Sequence, residues 1–308
     1  MTEKPLKSLF DRDEACKEAQ RYFSTQINLL QDLANYGSNL IARAYNSSKK
    51  ALPDAVVCGV LLKQVVAMID AVETLLASGI VHATFLPARA AFEASLYLEW
   101  ILFSDTDRKA KCYLVSNLRE ERLWALRAIS GTPEEKIFNS IVKDLDVDFH
   151  SKIPNLASDA KTHLAEVNSI LARADFKSID LEFEKLKLKR KADPQWYLLL
   201  GAKSIRQIAK AVLRLPEYEM FYAKGSRITH SASYKDHIKF SKGQVHFKPI
   251  RHLEGSDVLL NFLVSSALRT YQSVLGYYRQ GELHAFAKKY VQDWRTPFLS
   301  TKRVKYNF

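Results

Sequence analysis

Cysteine is scarce in this chain of 308 residues, which contains only Cys16, Cys58 and Cys112. The three lie far apart in sequence, and no two have the CxxC spacing common in zinc sites. This excludes a disulfide framework and a cysteine zinc site, and we expect reduced thiols in a cytoplasmic protein. Four histidines match no zinc spacing either: His230, His237, His246 and His252. We therefore expect no metal and no cofactor.

Long uninterrupted apolar runs are also missing. The N-terminal residues MTEKPLKSLFDRDE contain no apolar core, so a secretory signal is not expected. The two most apolar stretches, Val56 to Ala77 and Phe85 to Phe103, are each interrupted by three charged residues. Because charges inside a bilayer are costly, we expect neither stretch to span a membrane, and we expect no membrane partner.

Glycine-rich phosphate loops, internal repeats and low-complexity tracts are absent as well. An acidic string, Asp144 to His150, lacks both the glycine and the closing glutamate of an EF-hand loop, which excludes that calcium site. What the chain does contain is helical periodicity, in about ten segments with apolar residues at helical spacing. Only residues 237–249, HIKFSKGQVHFKP, alternate as a hairpin would, around Lys242-Gly243.

These patterns predict an all-α fold, a multi-helix bundle with long N-terminal helices and at most one small hairpin. We expect residues 1–295 to form a single all-α domain with a less regular middle portion, 131–193, and residues 296–308 to form a flexible basic tail. The clearest helix start is a capping box, in which Thr132 caps the helix and Glu135 reaches back to the cap amide. The first long helix has a candidate kink at Gly37-Ser38.

The segment Pro87 to Phe103, PARAAFEASLYLEWILF, is apolar on nearly every side, which is typical of a buried helix. It nevertheless carries Arg89 and Glu93 one helical turn apart on one face, and our hypothesis is that they line a polar site. A helix start at Pro87 would put Arg89 in the first turn, where free backbone amides favour an anion, although the apolar pattern begins near Ala83. The alternative is an ordinary intrahelical ion pair.

A second polar set follows Pro216, where every fourth residue is polar or titratable: Tyr222, Ser226, His230 and Tyr234. Lys224 and Arg227 lie among them in sequence. If the two sets converge on packed helices, they form a pocket that can bind a phosphate, and His230 can transfer a proton near neutral pH. Alternatively, Ser226 and His230 form a hydrogen-bonded pair that only fixes helix packing.

Positive charge is concentrated in one part of the chain. The net charge is +12, and residues 185–251 alone hold 16 Lys and Arg against 4 Asp and Glu. Such a block favours a polyanionic partner, RNA or another nucleic acid first and an acidic protein next. The alternative is that these side chains simply solvate exposed helix faces.

The two polar sets also carry a resemblance to a known family. An Arg89-x3-Glu93 pair in an apolar helix is followed by Tyr222-x3-Ser226-x3-His230 and by a final amphipathic helix with three tyrosines: Tyr271, Tyr277 and Tyr278. This arrangement resembles domain-of-unknown-function family 5677. The likeness covers residues 51–104 and 213–280, with a less similar middle, and it implies a helical fold but no particular activity.

The all-α layout, with an arginine, an acidic residue and a late serine and histidine, is more distantly similar to HEPN domains. Many HEPN domains are metal-independent ribonucleases of toxin and phage-defence systems, so the likeness implies RNA cleavage and a homodimer. HEPN nucleases have more residues between their arginine and histidine than the two that separate Arg227 from His230 here. Arg89, from another helix, would therefore have to replace the motif arginine.

Our first hypothesis is a protein that binds RNA or cleaves it without a metal. In this mechanism His230 acts as general acid or base, Arg89 and Arg227 hold the phosphate, and Glu93 orients Arg89. Three further side chains complete the binding residues: Tyr222, Ser226 and Lys224. The second hypothesis is a non-enzymatic helical module whose basic face docks an acidic protein. The residues leave open whether the protein is an enzyme.

Overall fold

The structure is a computed structural model that describes residues 11–142, 156–222, 225, 228, 234–241 and 243–305. The chain divides into two compact units. The first unit consists of Met1–Ser104 and Ile205–Phe308, and the second unit of Asp105–Ser204. A single domain over residues 1–295 stays a prediction, because two compact units can belong to one folding domain.

Helices dominate the part of the chain that the structure describes. In chain order they are α1 (Arg12–Ser47), α2 (Leu52–Ala77), α3 (Val81–Phe103), α4 (Thr106–Arg127), α5 (Pro133–Val142), α6 (Leu156–Leu171), α7 (Ala174–Arg190), α8 (Ile205–Ala211), α9 (Leu215–Glu217), α10 (Ser256–Tyr278), α11 (Leu283–Lys289) and α12 (Arg295–Leu299). The described strands are β1 (Ile238–Ser241) and β2 (Gln244–Phe247). The predicted all-α fold with one small hairpin is confirmed.

The core of the first unit lies among its four longest helices. Helix α2 packs against both α1 and α3, and α10 packs against both as well. Each helix turns its apolar stripe inward, so large side chains from all four are almost fully buried, including Leu33, Ile69, Leu96 and Tyr271. Burying a side chain of this size stabilises the fold by about 1.5–3 kcal/mol, which makes this packing the main reason for the helices to associate.

Gly37 marks the closest approach of α10 to α1. A Cβ atom at residue 37 would lie 2.3 Å from the hydroxyl oxygen of Tyr271, and that hydroxyl donates to the Leu33 carbonyl at 2.9 Å. The predicted kink at Gly37-Ser38 is wrong, because α1 continues through it and its irregular backbone is at Phe23, with φ −131°. The glycine is required for space rather than for a bend.

Helix α3 begins at Val81, close to the apolar pattern that starts near Ala83, and the alternative start at Pro87 is wrong. Val81 and Phe85 are buried, and their packing stabilises the turns before the proline enough to offset the backbone hydrogen bond that the proline cannot donate. Arg89 consequently lies more than two turns inside the helix. The idea that free amides of a first turn bind an anion beside Arg89 is therefore wrong as well.

In the second unit, α4 packs against α5, α6 and α7. Arg122 of α4 pairs with Asp180 of α7 at 3.1 Å. The capping box forms only in part: the Thr132 hydroxyl accepts from the Glu135 amide at 3.1 Å, while the Glu135 carboxylate accepts from the Gly131 amide at 3.3 Å rather than from the cap amide.

The hairpin is the predicted one. Strands β1 and β2 are antiparallel, with Ile238 opposite Phe247 and Phe240 opposite Val245. Gly243 adopts φ +76° in the turn, a conformation that glycine tolerates without steric cost. This register places the two apolar pairs on one face of the ribbon.

One described helix, α2, is long and apolar enough to cross a membrane by length and composition alone. Half of its most apolar window is buried within the protein, and core helices of soluble proteins pass the same test. At the other end of the chain, α12 (Arg295–Leu299) includes the first four residues of the segment 296–308 that was expected to be a flexible tail. There the Gln26 side chain donates to the Pro297 carbonyl at 2.9 Å.

Candidate functional site

Arg89, Glu93 and Tyr222 converge, as predicted from their sequence patterns. The Tyr222 hydroxyl accepts a hydrogen bond from Arg89 Nη2 at 3.0 Å and donates one to Glu93 Oε2 at 3.0 Å. The Arg89 guanidinium carbon also lies 4.5 Å from the centre of the Tyr222 ring, within the range of a cation–π contact. The phenol thus links the two charged side chains of α3 to the turn after α9.

Two further tyrosines, which sequence reasoning missed, complete this group. Glu93 Oε1 accepts from the Tyr97 hydroxyl at 2.9 Å, and the Tyr218 ring stacks on Tyr222 with 4.8 Å between ring centres. The contact with Tyr97 could have been predicted from the sequence, because Tyr97 follows Glu93 by four residues and the two therefore share a helix face. We call Arg89, Glu93, Tyr97, Tyr218 and Tyr222 the Arg89 cluster.

The electrostatics of the cluster keep Tyr222 neutral. Burial raises the pKa of Tyr222 to about 12, the hydrogen bond from Arg89 acts against this shift, and Glu93 adds to it. The phenol therefore remains a hydrogen-bond donor to Glu93 at neutral pH. Arg89 and Glu93 are only half-buried, whereas Tyr222 is 7% exposed. Both charged residues of the cluster therefore keep part of their surface exposed to solvent.

Gly225 is placed directly against the cluster. A Cβ atom built on Gly225 would lie 3.1 Å from Arg89 Cβ and 3.3 Å from Arg89 Cδ. A side chain at this position would press on the aliphatic stem of Arg89, which would have to shift by a few tenths of an ångström. The close approach explains why a glycine occupies this helical position.

Four predicted site residues lie outside the described residues: Lys224, Ser226, Arg227 and His230. Their convergence with Arg89, and their catalytic or binding roles, stay predictions. Tyr234 lies in a short 3₁₀ turn, Tyr234–Asp236, and is exposed. Among the described residues, no three His, Cys, Asp or Glu side chains are grouped as metal ligands would be.

A second polar network in the first unit was missed from the sequence. Arg214 is 1% exposed, and its Nη1 donates to Glu99 Oε1 at 2.8 Å and to Ser95 Oγ at 2.9 Å. Its Nη2 donates to Ser266 Oγ at 2.8 Å. Glu99 is one of the three charges that interrupt the apolar stretch Phe85 to Phe103, whereas Arg214 lies inside the basic block and was counted only in its net charge.

This second network joins helices, and only its Arg269 end, where Arg269 is 38% exposed, lies at the surface. Burial raises the pKa of the Glu99 carboxyl, while Arg214 and Arg269 counteract that shift. Arg269 Nε lies 3.4 Å from Glu99 Oε2, on the more exposed side of the pair. Because Ser95 and Glu99 belong to α3 and Ser266 and Arg269 to α10, the network ties these two helices to the segment before α9. We assign it a structural role.

The basic block is less uniform than its net charge suggests. Besides Arg214, three of its described cations are paired with carboxylates: Lys187 with Asp193, Arg206 with Glu219, and Lys248 with Glu254. The block also spans the boundary between the two units, which lies after Ser204. The expectation of one continuous basic face therefore stays a prediction, and each unit has to be considered separately.

Comparison with known proteins identifies a family but no activity. No curated protein and no solved structure matches this chain. The model of a family of unknown function, DUF5677, matches residues 54–245, well over half of the chain. The match runs through the middle that looked less similar and ends within β2, before α10, and no comparison supports the more distant likeness to HEPN domains. The chain belongs to the family of unknown function DUF5677.

Proposed function

We propose that this protein binds RNA, with the Arg89 cluster holding a backbone phosphate. The observation that carries the proposal is the half-buried Arg89, whose guanidinium lies over the Tyr222 ring and whose aliphatic stem lies beside Gly225. A guanidinium presents its N–H groups in a planar fork that matches a phosphate, and stacking on an aromatic ring restricts that fork before the ligand arrives. Little side-chain entropy is then lost on binding.

The polarity of the cluster supports an anionic ligand. Glu93 is engaged by the hydroxyls of Tyr97 and Tyr222, one on each carboxylate oxygen. Two donors on the carboxylate spread its negative charge, which reduces its repulsion of an approaching phosphate. The excess of cations in residues 185–251 adds an attraction that acts at longer range and weakens with salt.

Cleavage of RNA without a metal is the extension of this proposal. His230 would act as general acid or base on the ribose 2′-hydroxyl or the leaving oxygen, with Ser226 and Arg227 as binding residues. Gly225, which contacts Arg89, precedes Ser226 directly in sequence. A His230→Ala variant should keep RNA affinity and lose cleavage, and a variant that still cleaves as fast as the parent would remove this extension.

Binding is tested with a labelled single-stranded RNA and the Arg89→Met variant, which keeps the aliphatic stem and removes the cation. Fluorescence anisotropy should show a dissociation constant about ten- to 150-fold higher for the variant, because a charge-assisted hydrogen bond contributes roughly 1.5–3 kcal/mol. The salt dependence of log Kd should also fall by about one unit of slope.

The matched control is Arg21→Met. Arg21 stacks over Tyr22 at 5.6 Å but lies on α1, outside the basic block, so its loss should leave RNA affinity unchanged. Equal affinity of the Arg89→Met variant and the parent would overturn the proposal. Since a phosphate contact does not distinguish nucleic acids, the choice of RNA rests on the likeness to HEPN domains, and single-stranded DNA of the same sequence is the competitor. If the parent protein binds neither RNA nor single-stranded DNA, an acidic protein becomes the favoured partner.

A further inference from the structure

The hairpin of the first unit exposes an apolar face. Its cross-strand register puts Ile238, Phe240, Val245 and Phe247 on one side of the ribbon, and Lys239 and His246 on the other. Phe240 is 66% exposed and Phe247 is 83% exposed. Exposed phenyl rings on a ribbon of two short strands add nothing to the core, so a contiguous patch of this kind marks a contact surface.

The sequence around this face is strongly basic. The sixteen residues 237–252 contain four Lys and Arg, three His and no Asp or Glu, although Lys248 pairs with Glu254 and Lys239 lies on the opposite face of the ribbon. Aromatic rings set in a cationic segment are the combination that binds single-stranded nucleic acid, because bases stack on the rings while cations attract the backbone. Phe240 and Phe247 are diagonal neighbours in the ladder, about 7 Å apart, so each ring can take a separate base.

The hairpin is attached to the same helix as the Arg89 cluster. The His237 ring, just before β1, packs edge-on against the His82 ring of α3, with 4.7 Å between ring centres. After β2, His252 forms a bridge with Ile80 next to α3. His82 and Arg89 are seven residues apart, so they share a face of α3 and are separated by about 10 Å along its axis.

We propose that the apolar face of the hairpin, through Phe240 and Phe247, is a stacking platform for the bases of single-stranded RNA whose phosphate is held by Arg89. This inference rests on the proposed RNA binding and adds the strand form that is recognised. Duplex RNA keeps its bases paired and stacked inside the helix, so it cannot use the platform.

The test uses the full-length protein and fluorescein-labelled oligouridine of about 12 nucleotides, within the site sizes of single-strand binding surfaces. The double variant Phe240→Ala/Phe247→Ala should bind at least about tenfold more weakly, since each stacked base is worth roughly five- to 150-fold in affinity. Phe240→Tyr/Phe247→Tyr should retain binding, whereas Phe240→Leu/Phe247→Leu, apolar but unable to stack, should lose it. The matched control is Phe103→Ala, which removes a phenyl ring that is 70% exposed outside the hairpin.

Each outcome decides one of the two proposals. If the parent binds oligouridine and the double alanine variant binds equally well, the platform is refuted and the Arg89 proposal stands. If the parent binds no RNA, both fail. Duplex RNA binding as tightly as the single strand would also overturn the platform. The platform would also be overturned if the double alanine variant kept its RNA affinity but changed its oligomeric state in light scattering, because the face would then be a contact between copies of the chain.

Discussion

Replacing Arg214 by methionine should destabilise the protein strongly although no ligand contact is lost. The pair of Arg214 and Glu99 is buried on both sides, with side-chain exposures of 1% and 5%. Removing one member of a buried pair leaves the other charge without compensation, which costs about 3–5 kcal/mol. Arg269 remains 3.4 Å from the Glu99 carboxylate and offsets part of the loss. We therefore expect Arg214→Met to lower the unfolding free energy by about 3 kcal/mol, the lower end of that range.

The double variant Arg214→Met/Glu99→Leu separates charge pairing from simple loss of contacts. Glu99→Leu alone should also cost about 3 kcal/mol, because it leaves the Arg214 guanidinium buried with Glu217 at 3.6 Å as its remaining acidic partner among the described residues. Removing both charges replaces the pair by apolar groups, which is often close to neutral. The double variant should therefore lose about 2 kcal/mol or less, well below the sum of the single losses.

Urea unfolding followed by far-UV circular dichroism measures these differences. The control is Arg206→Met, because Arg206 pairs with Glu219 at 2.6 Å on the surface, with side-chain exposures of 57% and 48%. An exposed pair contributes about 0–1 kcal/mol, so this variant should be nearly neutral. Additive losses in the double variant, or an Arg214→Met loss as small as that of Arg206→Met, would refute the reasoning.

Two further predictions concern stability. Gly37→Ala should lower the unfolding free energy by about 1–3 kcal/mol, because the new methyl group would overlap the Tyr271 hydroxyl and Val66. Gly59→Ala should raise it by about 0.5–1 kcal/mol, because a Cβ atom there meets no atom within 4 Å. Thermal melting measures both variants, and shifts of the melting temperature in the same direction would contradict the prediction. Burial, aided by Lys248, lowers the pKa of His252, so the folded state binds fewer protons and the unfolding free energy should fall as the pH drops below about 6.5. His252→Gln should lose less stability between neutral and acidic pH, and an identical decline in urea titrations would contradict this.

Much of the fold could be predicted because periodicity reports which side of an element is buried. The apolar stripes predicted the helices, and the alternation around Lys242-Gly243 predicted the hairpin. The helix start at Val81 was predicted only approximately, by the apolar pattern that begins near Ala83, since it depends on tertiary burial of Phe85 that outweighs the local preference of Pro87. The role of Gly37 was also hidden, because its need for space comes from Tyr271, more than two hundred residues later.

The candidate site was predicted in part for a similar reason. A charged pair in an otherwise apolar helix needs polar partners, and the tyrosine that starts the downstream polar set supplied one for Arg89 and Glu93. Arg214 escaped notice because its sequence neighbours are basic and a cation among cations gives no signal of burial. Pairing of Glu99 with a residue 115 positions away is a property of the packed fold alone.

The most direct test of RNA binding at the Arg89 cluster is the distance from the Arg89 guanidinium to the nearest phosphate oxygen in a structure of the protein with a short single-stranded RNA. If the Arg89 cluster holds the RNA, a phosphate oxygen should lie about 2.7–2.9 Å from an Arg89 nitrogen, the length of a charge-assisted hydrogen bond. RNA bound with every phosphate well beyond that distance would contradict this prediction.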